Sequence, residues 1–306
     1  MYDLLIIGGG PGAVAAGVYA ARKKIKFALV TESFGGQSLV SSDIQNWIGT
    51  KSVSGYDLGQ MFEQHLRVQE DVEIVDSDLV TTVTKKPGGT FTVATKNGKS
   101  FDAKYVLIAS GSRRRKLGVP GEEKLDGRGV VYCSTCDAPL FKNKIVSVIG
   151  GGNAGLEAVV ELLPYAEKVY ILEYGEKLKG DPSTQDKIKA SPKVEIITKA
   201  QTLEVIGDKF VSALKYKDLN SGEEKELAVE GVFVEIGAIP NSDFVKDIVV
   251  LNKFGEIVVD HKTQQTSDTG IWAVGDVSDV LYKQNNISAG DGVKALLNIY
   301  DRLQKA

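Results

Sequence analysis

An α/β chain holding two dinucleotide-binding folds, the second inserted into the first, is predicted by three observations. A strand–glycine turn–helix pattern opens the chain as MYDLLIIGGGPGAVAAGVYAARKK. A second copy, KIVSVIGGGNAGLEAVVELL, begins at Lys144, and the two cysteines stand just before it in VYCSTCDAPLF. A lone glycine-rich turn is weak evidence. The strand before it, the helix after it and an acidic residue about 20 positions on together define a dinucleotide site.

The unbroken apolar run Tyr2 to Ile7 reads as a buried parallel strand. It enters a turn in which Gly8 reverses the chain and Gly10 lets backbone approach a pyrophosphate. Pro11 and Gly12 follow, and Ala13 stands at the third position in place of glycine. Small and apolar residues through Ala21 form a helix whose N-terminus faces the phosphates. The next strand, FALVTE, ends at Glu32, whose carboxylate can accept hydrogen bonds from a ribose diol. In the second copy the turn is Gly150-x-Gly152-Asn153-Ala154-Gly155, the helix stops near Pro164, and the strand KVYILE ends at Glu173.

Two further strands fit this frame. KYVLIASGS (104–112) ends at Gly111 and returns the chain under the first nucleotide, whereas GIWAVGDVSDV (270–280) ends at Gly275 and Asp276. Each could equally be no more than a strand cap. A helix after Gln284, ISAGDGVKALLNIYDRL, closes the chain with its first turn beside Asp276. The expected domains are therefore 1–115 with 245–306 and, inserted between them, 116–244 with the cysteines. The boundaries lie in the turn-rich stretches RRRKLGVPGEE and GAIPNSDF. The run Arg113 to Lys116 reads as a solvated hinge face, a docking surface for an acidic partner being the alternative.

Composition limits the function classes. The chain has 306 residues, 42% hydrophobic and 25% charged, with a net charge of −3. There is no basic excess for nucleic acid and no apolar run of the roughly 18 residues that a membrane helix needs. The N-terminus is already a strand and leaves no room for a signal peptide, so a cytoplasmic location is expected. There a Cys-x-x-Cys is more often catalytic or metal-binding than structural. The choices for Cys133 and Cys136 are half a metal site, two buried thiols or a redox disulfide. A structural zinc wants four ligands, and only His65, in an amphipathic helical stretch, and His261, in a polar loop, remain. Neither has ligand spacing, so no metal is expected.

FGGQ (34–37), the IASG segment, Cys133-Ser-Thr-Cys136-Asp137, GGGNAGLEA, GAIPNS and GDVSDVLYKQ follow one another in an order that resembles the low-molecular-weight thioredoxin reductases. The resemblance covers essentially the whole chain. CDAPLFKNK and ILEYGEKLK look closest to the flavoprotein subunit of alkyl hydroperoxide reductase, without the extra N-terminal domain and second Cys-x-x-Cys of that subunit. The resemblance implies a pyridine nucleotide-disulfide oxidoreductase fold, FAD in the first domain, NADH or NADPH in the second, and a homodimer. It also implies a disulfide that alternates between flavin and a separate thioredoxin- or glutaredoxin-like protein, a candidate feeder of a peroxiredoxin. By position, Gly8, Gly10, Pro11, Gly12, Ala13, Glu32, Gly35, Gly36, Gln37, Asn46, Ala109, Gly111, Gly275, Asp276, Lys283 and Gln284 would hold FAD. Gly150, Gly152, Asn153, Ala154, Gly155 and Glu173 would hold the nicotinamide nucleotide. The chain departs from the family's pattern at GPGA, where GPAG is usual, and at Ala138, where glycine often follows the redox aspartate.

This resemblance makes Cys136 the flavin-facing sulfur and Cys133 the one that attacks the partner. Asp137 is placed to shuttle protons to the leaving thiolate, or is merely a turn residue before Pro139. A carboxylate at Glu173 favours the free ribose hydroxyls of NADH and repels the 2′-phosphate of NADPH, unless Glu173 points into solvent and Lys177 or Lys179 serves a phosphate. The leading expectation is an FAD-dependent disulfide reductase. The alternatives are an NADH oxidase forming hydrogen peroxide, a reductase fed by another donor such as ferredoxin, and a non-catalytic flavin redox sensor.

Overall fold

A computed structural model of the chain describes residues 1–41 and 43–305. It divides into two units, Met1–Arg113 with Ile239–Ala306, and Arg114–Ala238. These divisions, 113/114 and 238/239, fall inside the turn-rich stretches RRRKLGVPGEE and GAIPNSDF that mark the expected boundaries. Asn241 and Ser242 are tied back into the first unit: the Asn241 amide donates to the Gly111 carbonyl at 3.0 Å, and Ser242 Oγ to the Gly255 carbonyl at 2.6 Å.

The first unit runs β1 (Tyr2–Ile7), α1 (Pro11–Arg22), β2 (Phe27–Val30), α2 (Gly55–Arg67), β3 (Glu73–Val75), β4 (Val80–Lys85), β5 (Phe91–Thr95) and β6 (Ser100–Ile108). The chain crosses out through β7 (Ser112–Arg114). In the second unit follow β8 (Val130–Val131), α3 (Ser134–Asp137), β9 (Ile145–Ile149), α4 (Asn153–Leu162), β10 (Lys168–Glu173), α5 (Pro182–Lys189), β11 (Val194–Thr198), β12 (Ala200–Gly207), β13 (Val211–Asp218), β14 (Glu224–Ala228) and β15 (Gly231–Val234). It returns through β16 (Ala238–Pro240), which pairs with β7, and ends with β17 (Ile271–Ala273) and α6 (Asn285–Leu303).

The first sheet has the order β3-β2-β1-β6-β5-β4. β1, β2 and β3 are parallel, as are β1 and β6, while β4 and β5 form an antiparallel extension. β6 is long enough to pair with β5 through Ser100–Ala103 and with β17 through Val106–Ile108. Apolar residues alternate to both faces. Leu4, Ile6, Phe27, Leu29 and Leu107 pack under α1, α2 and α6, while Leu5, Ile7, Val30, Val106 and Ile108 fill the opposite core. The second unit repeats the motif as an all-parallel sheet, β11-β10-β9-β15-β8, beside the antiparallel β12-β13-β14.

Three expected strand ends are shortened. β2 stops at Val30 rather than Glu32, β6 at Ile108 rather than Gly111, and β17 at Ala273 rather than Gly275 and Asp276. In each case the following residues leave the ladder to form a turn: Gly111 has φ 65° and Gly275 φ 70°, conformations that suit glycine. The strand into Glu173, the helix from Asn285 and the helix ending before Pro164 stand as expected.

Candidate active site

Both glycine turns are built alike. Gly8 and Gly150 have φ of 123° and 117°, and a Cβ on either would lie 2.2 or 2.4 Å from the carbonyl oxygen of Ala109 or Glu235. Only glycine fits there. Beyond each turn the backbone is open, since a Cβ at Gly10 or Gly152 would meet nothing within 4 Å. These are cradles at helix N-termini where a pyrophosphate can approach the chain. In each unit the segment after the second strand folds back on the turn. The Gly35 amide donates to the Gly9 carbonyl at 2.9 Å, and the Lys179 and Gly180 amides donate to that of Gly151 at 2.7 and 3.0 Å.

The residues expected to hold FAD gather at the C-terminal ends of β1, β2, β6 and β17. Gly36 lies against Gly10, Asn46 Nδ2 donates to Gln284 Oε1 at 3.3 Å, and Lys283 Nζ donates to the Asp276 and Ser278 carbonyls at 3.3 and 2.5 Å. Asp276 also accepts from Ser112 Oγ at 3.4 Å. Gln37 is exposed beside Gly36, and Pro11 opens α1. Gly12 and Ala13, by contrast, are buried in the packing of α1. Gly12 backs onto Ser288 of α6, so these two hold the helix pair together. Contacts that the sequence did not suggest also bind this rim: Ser38 Oγ donates to Asn285 Oδ1 at 3.2 Å, and Asn286 Nδ2 to the Asn46 carbonyl at 2.7 Å. Short polar residues in a loop give no periodic signal.

The two acids that end the matching strand patterns are not equivalent in register. Ile7 stands opposite Val30, and Ile149 opposite Leu172. The residue after each partner is Thr31 in the first unit and Glu173 in the second, so Glu32 lies one residue further on. Glu32 is exposed, while Thr31 donates to the Ser33 carbonyl at 2.7 Å. Glu173 is only 6% exposed. Its Oε2 accepts from the Gly151 amide at 2.8 Å and its Oε1 from the Gly175 amide at 2.7 Å, with Lys179 Nζ 3.5 Å away. Glu173 therefore faces the turn and not solvent. Asn153 Oδ1 accepts the Asp181 amide at 2.8 Å and pins the same loop, while Ala154 is exposed on the first turn of α4.

Cys133 and Cys136 form a disulfide with Cα atoms 5.4 Å apart. Both are half-buried, with Cys133 capping the short helix α3. No other cysteine is present, and among the described residues no cluster could hold a metal. His65 and His261 are both exposed. Asp137 is buried, with its carboxyl pushed up to about 6 by desolvation. It is not an exposed turn residue. A raised carboxyl binds a proton in the folded state that the unfolded chain has already lost. Stability therefore falls as pH rises from about 4 to about 6. Asp137→Asn should remove that slope and leave the protein more stable than wild type above pH 6, by roughly 3 kcal/mol at most. Denaturation at a series of pH values checks this; parallel curves for the two proteins would refute it.

Arg113, Arg115 and Lys116 are exposed, in keeping with a solvated face. Arg113 bonds Asn241 Oδ1 at 2.8 Å, Lys116 pairs with Asp126 at 3.4 Å, and Arg114 is half-buried. The sequence also gave no sign of Glu235, buried at the end of β15, because VFVEIG reads as an ordinary strand.

The pyridine nucleotide-disulphide oxidoreductase family model matches residues 2–292. The chain belongs to that family. Membership implies a flavin and a pyridine nucleotide, which the two open cradles fit, and the cysteine pair fits the redox-active disulfide of such a reductase. A subunit of alkyl hydroperoxide reductase from Pseudomonas putida is 43% identical over 304 residues, covering 99% of this chain and 58% of that protein. Its counterpart in Staphylococcus aureus is 40% identical over 300 residues, with 59% of it covered. The chain thus spans under three fifths of these relatives. Among solved structures, thioredoxin reductase from Streptococcus pyogenes superposes with a TM-score of 0.91 at 33% identity, covering 100% of this chain and 99% of that one. Among the described residues no helix is long and apolar enough to cross a membrane.

Proposed function

We propose that the chain is an FAD-dependent disulfide reductase. It would take electrons from NADH in preference to NADPH and reduce a thioredoxin- or glutaredoxin-like protein, a candidate feeder of a peroxiredoxin. The carrying observation is the Cys133–Cys136 disulfide with buried Asp137 beside it, in the unit that bears the second glycine turn. The first cradle, with Glu32, Gln37, Asn46, Lys283 and Gln284 at its rim, would hold FAD, and the second, with Glu173, the nicotinamide nucleotide. Bound together, these groups supply hydride and a two-electron relay.

What the residues do follows from thiol chemistry. In the reduced pair the Cys133 thiolate attacks a partner sulfur, breaking the partner's S–S bond and forming a mixed disulfide. Cys136 then attacks Cys133, which releases the partner as a dithiol and restores the internal disulfide. Two electrons leave the pair and two protons end on the partner's sulfurs. Asp137, its carboxyl raised to about 6 by burial, can give and retake the proton of the thiolate beside it.

The coenzyme preference rests on Glu173. Two backbone amides hold its carboxylate at the glycine turn, where it would meet ribose hydroxyls and repel a 2′-phosphate. Anaerobic titration of the flavin's visible absorbance tests this. NADH should bleach the flavin at concentrations at least about tenfold below NADPH, the discrimination expected of one charged contact worth about 1.4 kcal/mol. Equal bleaching by NADPH would reverse the preference, and bleaching by neither would remove the nicotinamide role. An oxidase that makes peroxide should keep its activity in Cys133→Ser, which separates it from the proposed reductase.

A further inference from the structure

Glu235 is a buried carboxyl that the proposed relay leaves unused. It is 8% exposed, and the parallel pairing of β15 with β8, Val232 opposite Val130 and Phe233 opposite Val131, brings it alongside Cys133, two residues beyond each strand's last pair. The backbone amide of Ser134, the first residue of α3, favours its charged form. The Glu235 amide donates to the Ile149 carbonyl at 2.9 Å, which fixes the residue at the end of the central parallel strands. Of the charged groups acting on it, Arg114 favours its ionised form, and Glu161 and Glu157 of α4 oppose it. Glu161 also accepts from Thr135 Oγ1 at 3.0 Å, so α4 and Glu235 both grip the cysteine turn. A carboxylate buried beside a thiol opposes ionisation of that thiol, because two like charges in a desolvated place repel.

We propose that Glu235 is a positioning residue for the redox pair: its ionised carboxylate holds the Ser134 amide and keeps negative charge beside Cys133, and uptake of a proton from solvent by this carboxyl eases ionisation of Cys133. Burial pushes the Glu235 carboxyl up to about 7, so both forms are populated at neutral pH. Reactivity of the attacking sulfur then depends on the protonation of a side chain distant in sequence. The inference rests on the reading of Cys133 as the attacking sulfur.

The test uses reduced, flavin-loaded protein carrying Cys136→Ser, so that Cys133 is the only thiol. Its alkylation by iodoacetamide is followed by mass spectrometry across a range of pH. Adding Glu235→Gln keeps an acceptor for the Ser134 amide and removes the charge. Near pH 8, where the parent's carboxyl is ionised, alkylation should become roughly three- to tenfold faster, and at neutral pH by no more than about twofold, with the thiol ionising at lower pH. A merely structural role would change stability and leave this profile in place, so rates within twofold of the parent at every pH would overturn the proposal. Should Glu235→Gln fold poorly, Ser134→Pro decides by the same criterion. It removes the amide donor at a helix position that tolerates proline, after a residue already extended at φ −145° and ψ 101°. The carboxyl, no longer bonded, protonates more readily, so alkylation should again speed up. If the reciprocal Cys133→Ser background reacts faster than Cys136→Ser, the assignment of Cys133 fails and the inference falls with it. An unshifted profile on a reactive Cys133 overturns the role of Glu235 alone.

Discussion

Replacing Cys136 with serine is expected to cut NADH-driven reduction of a disulfide protein by at least about a thousandfold, while NADH still bleaches the flavin anaerobically. The reason is the division of labour between the two units. The glycine turns and their rims are formed without either sulfur, and in this structure the two sulfurs are bonded to each other. Serine has no accessible thiolate and cannot close the pair, so the resolving step is lost while both cradles keep their shape. Cys133→Ser should lose turnover to the same extent, because neither cysteine can work without the other. Partner reduction that survives in either variant would move the chemistry away from this pair.

Gly155→Ala should weaken nicotinamide binding by roughly tenfold to a hundredfold, the equivalent of about 1–3 kcal/mol of overpacking. A Cβ at Gly155 would lie 1.8 Å from the carbonyl oxygen of Gly150. Both atoms belong to the backbone framework, so no side chain can yield and α4 must shift away from β9. The N-terminus of α4 and the turn at Gly152 would move with it. Ala13 occupies the same step of the first turn and is fully buried without such a clash, which shows that α1 stands further from its turn than α4 does. Ala13→Gly should therefore cost only about 0.5–1 kcal/mol, the usual penalty for glycine in a helix. Calorimetric titration with NADH, with thermal denaturation beside it, measures both variants. A Gly155→Ala protein that binds NADH as wild type does would refute the steric account.

Much of the fold was legible because its signals are local. The run YDLLII reads as a strand buried on both faces, glycines stand where φ is positive at Gly8 and Gly150, and the helices that follow begin where those turns end. Strand ends were less legible. FALVTE, KYVLIASGS and GIWAVGDVSDV all look extended, yet each leaves its ladder early, since a ladder ends where the neighbouring strand stops offering partners and not where propensity changes. Within GAIPNSDF the partners of each residue were equally hidden. Asn241 and Ser242 find their hydrogen bonds at Gly111 and Gly255, more than ten residues away in one case and over a hundred in the other.

The sequence by itself determined the two glycine turns, the inserted arrangement and the cysteine pair, because each depends on residue types at short, fixed spacing. Only the tertiary structure decided the environments of the acids. Glu32 and Glu173 both follow a strand of the same pattern, yet one is exposed and the other is held by two amides at a register one residue earlier. Asp137 is buried, and the pairing of β15 with β8 carries Glu235 alongside the cysteine turn from about a hundred residues later in the chain. A carboxyl's charge state follows from the water it has lost and the dipoles and charges that face it, and these come from segments far apart in sequence.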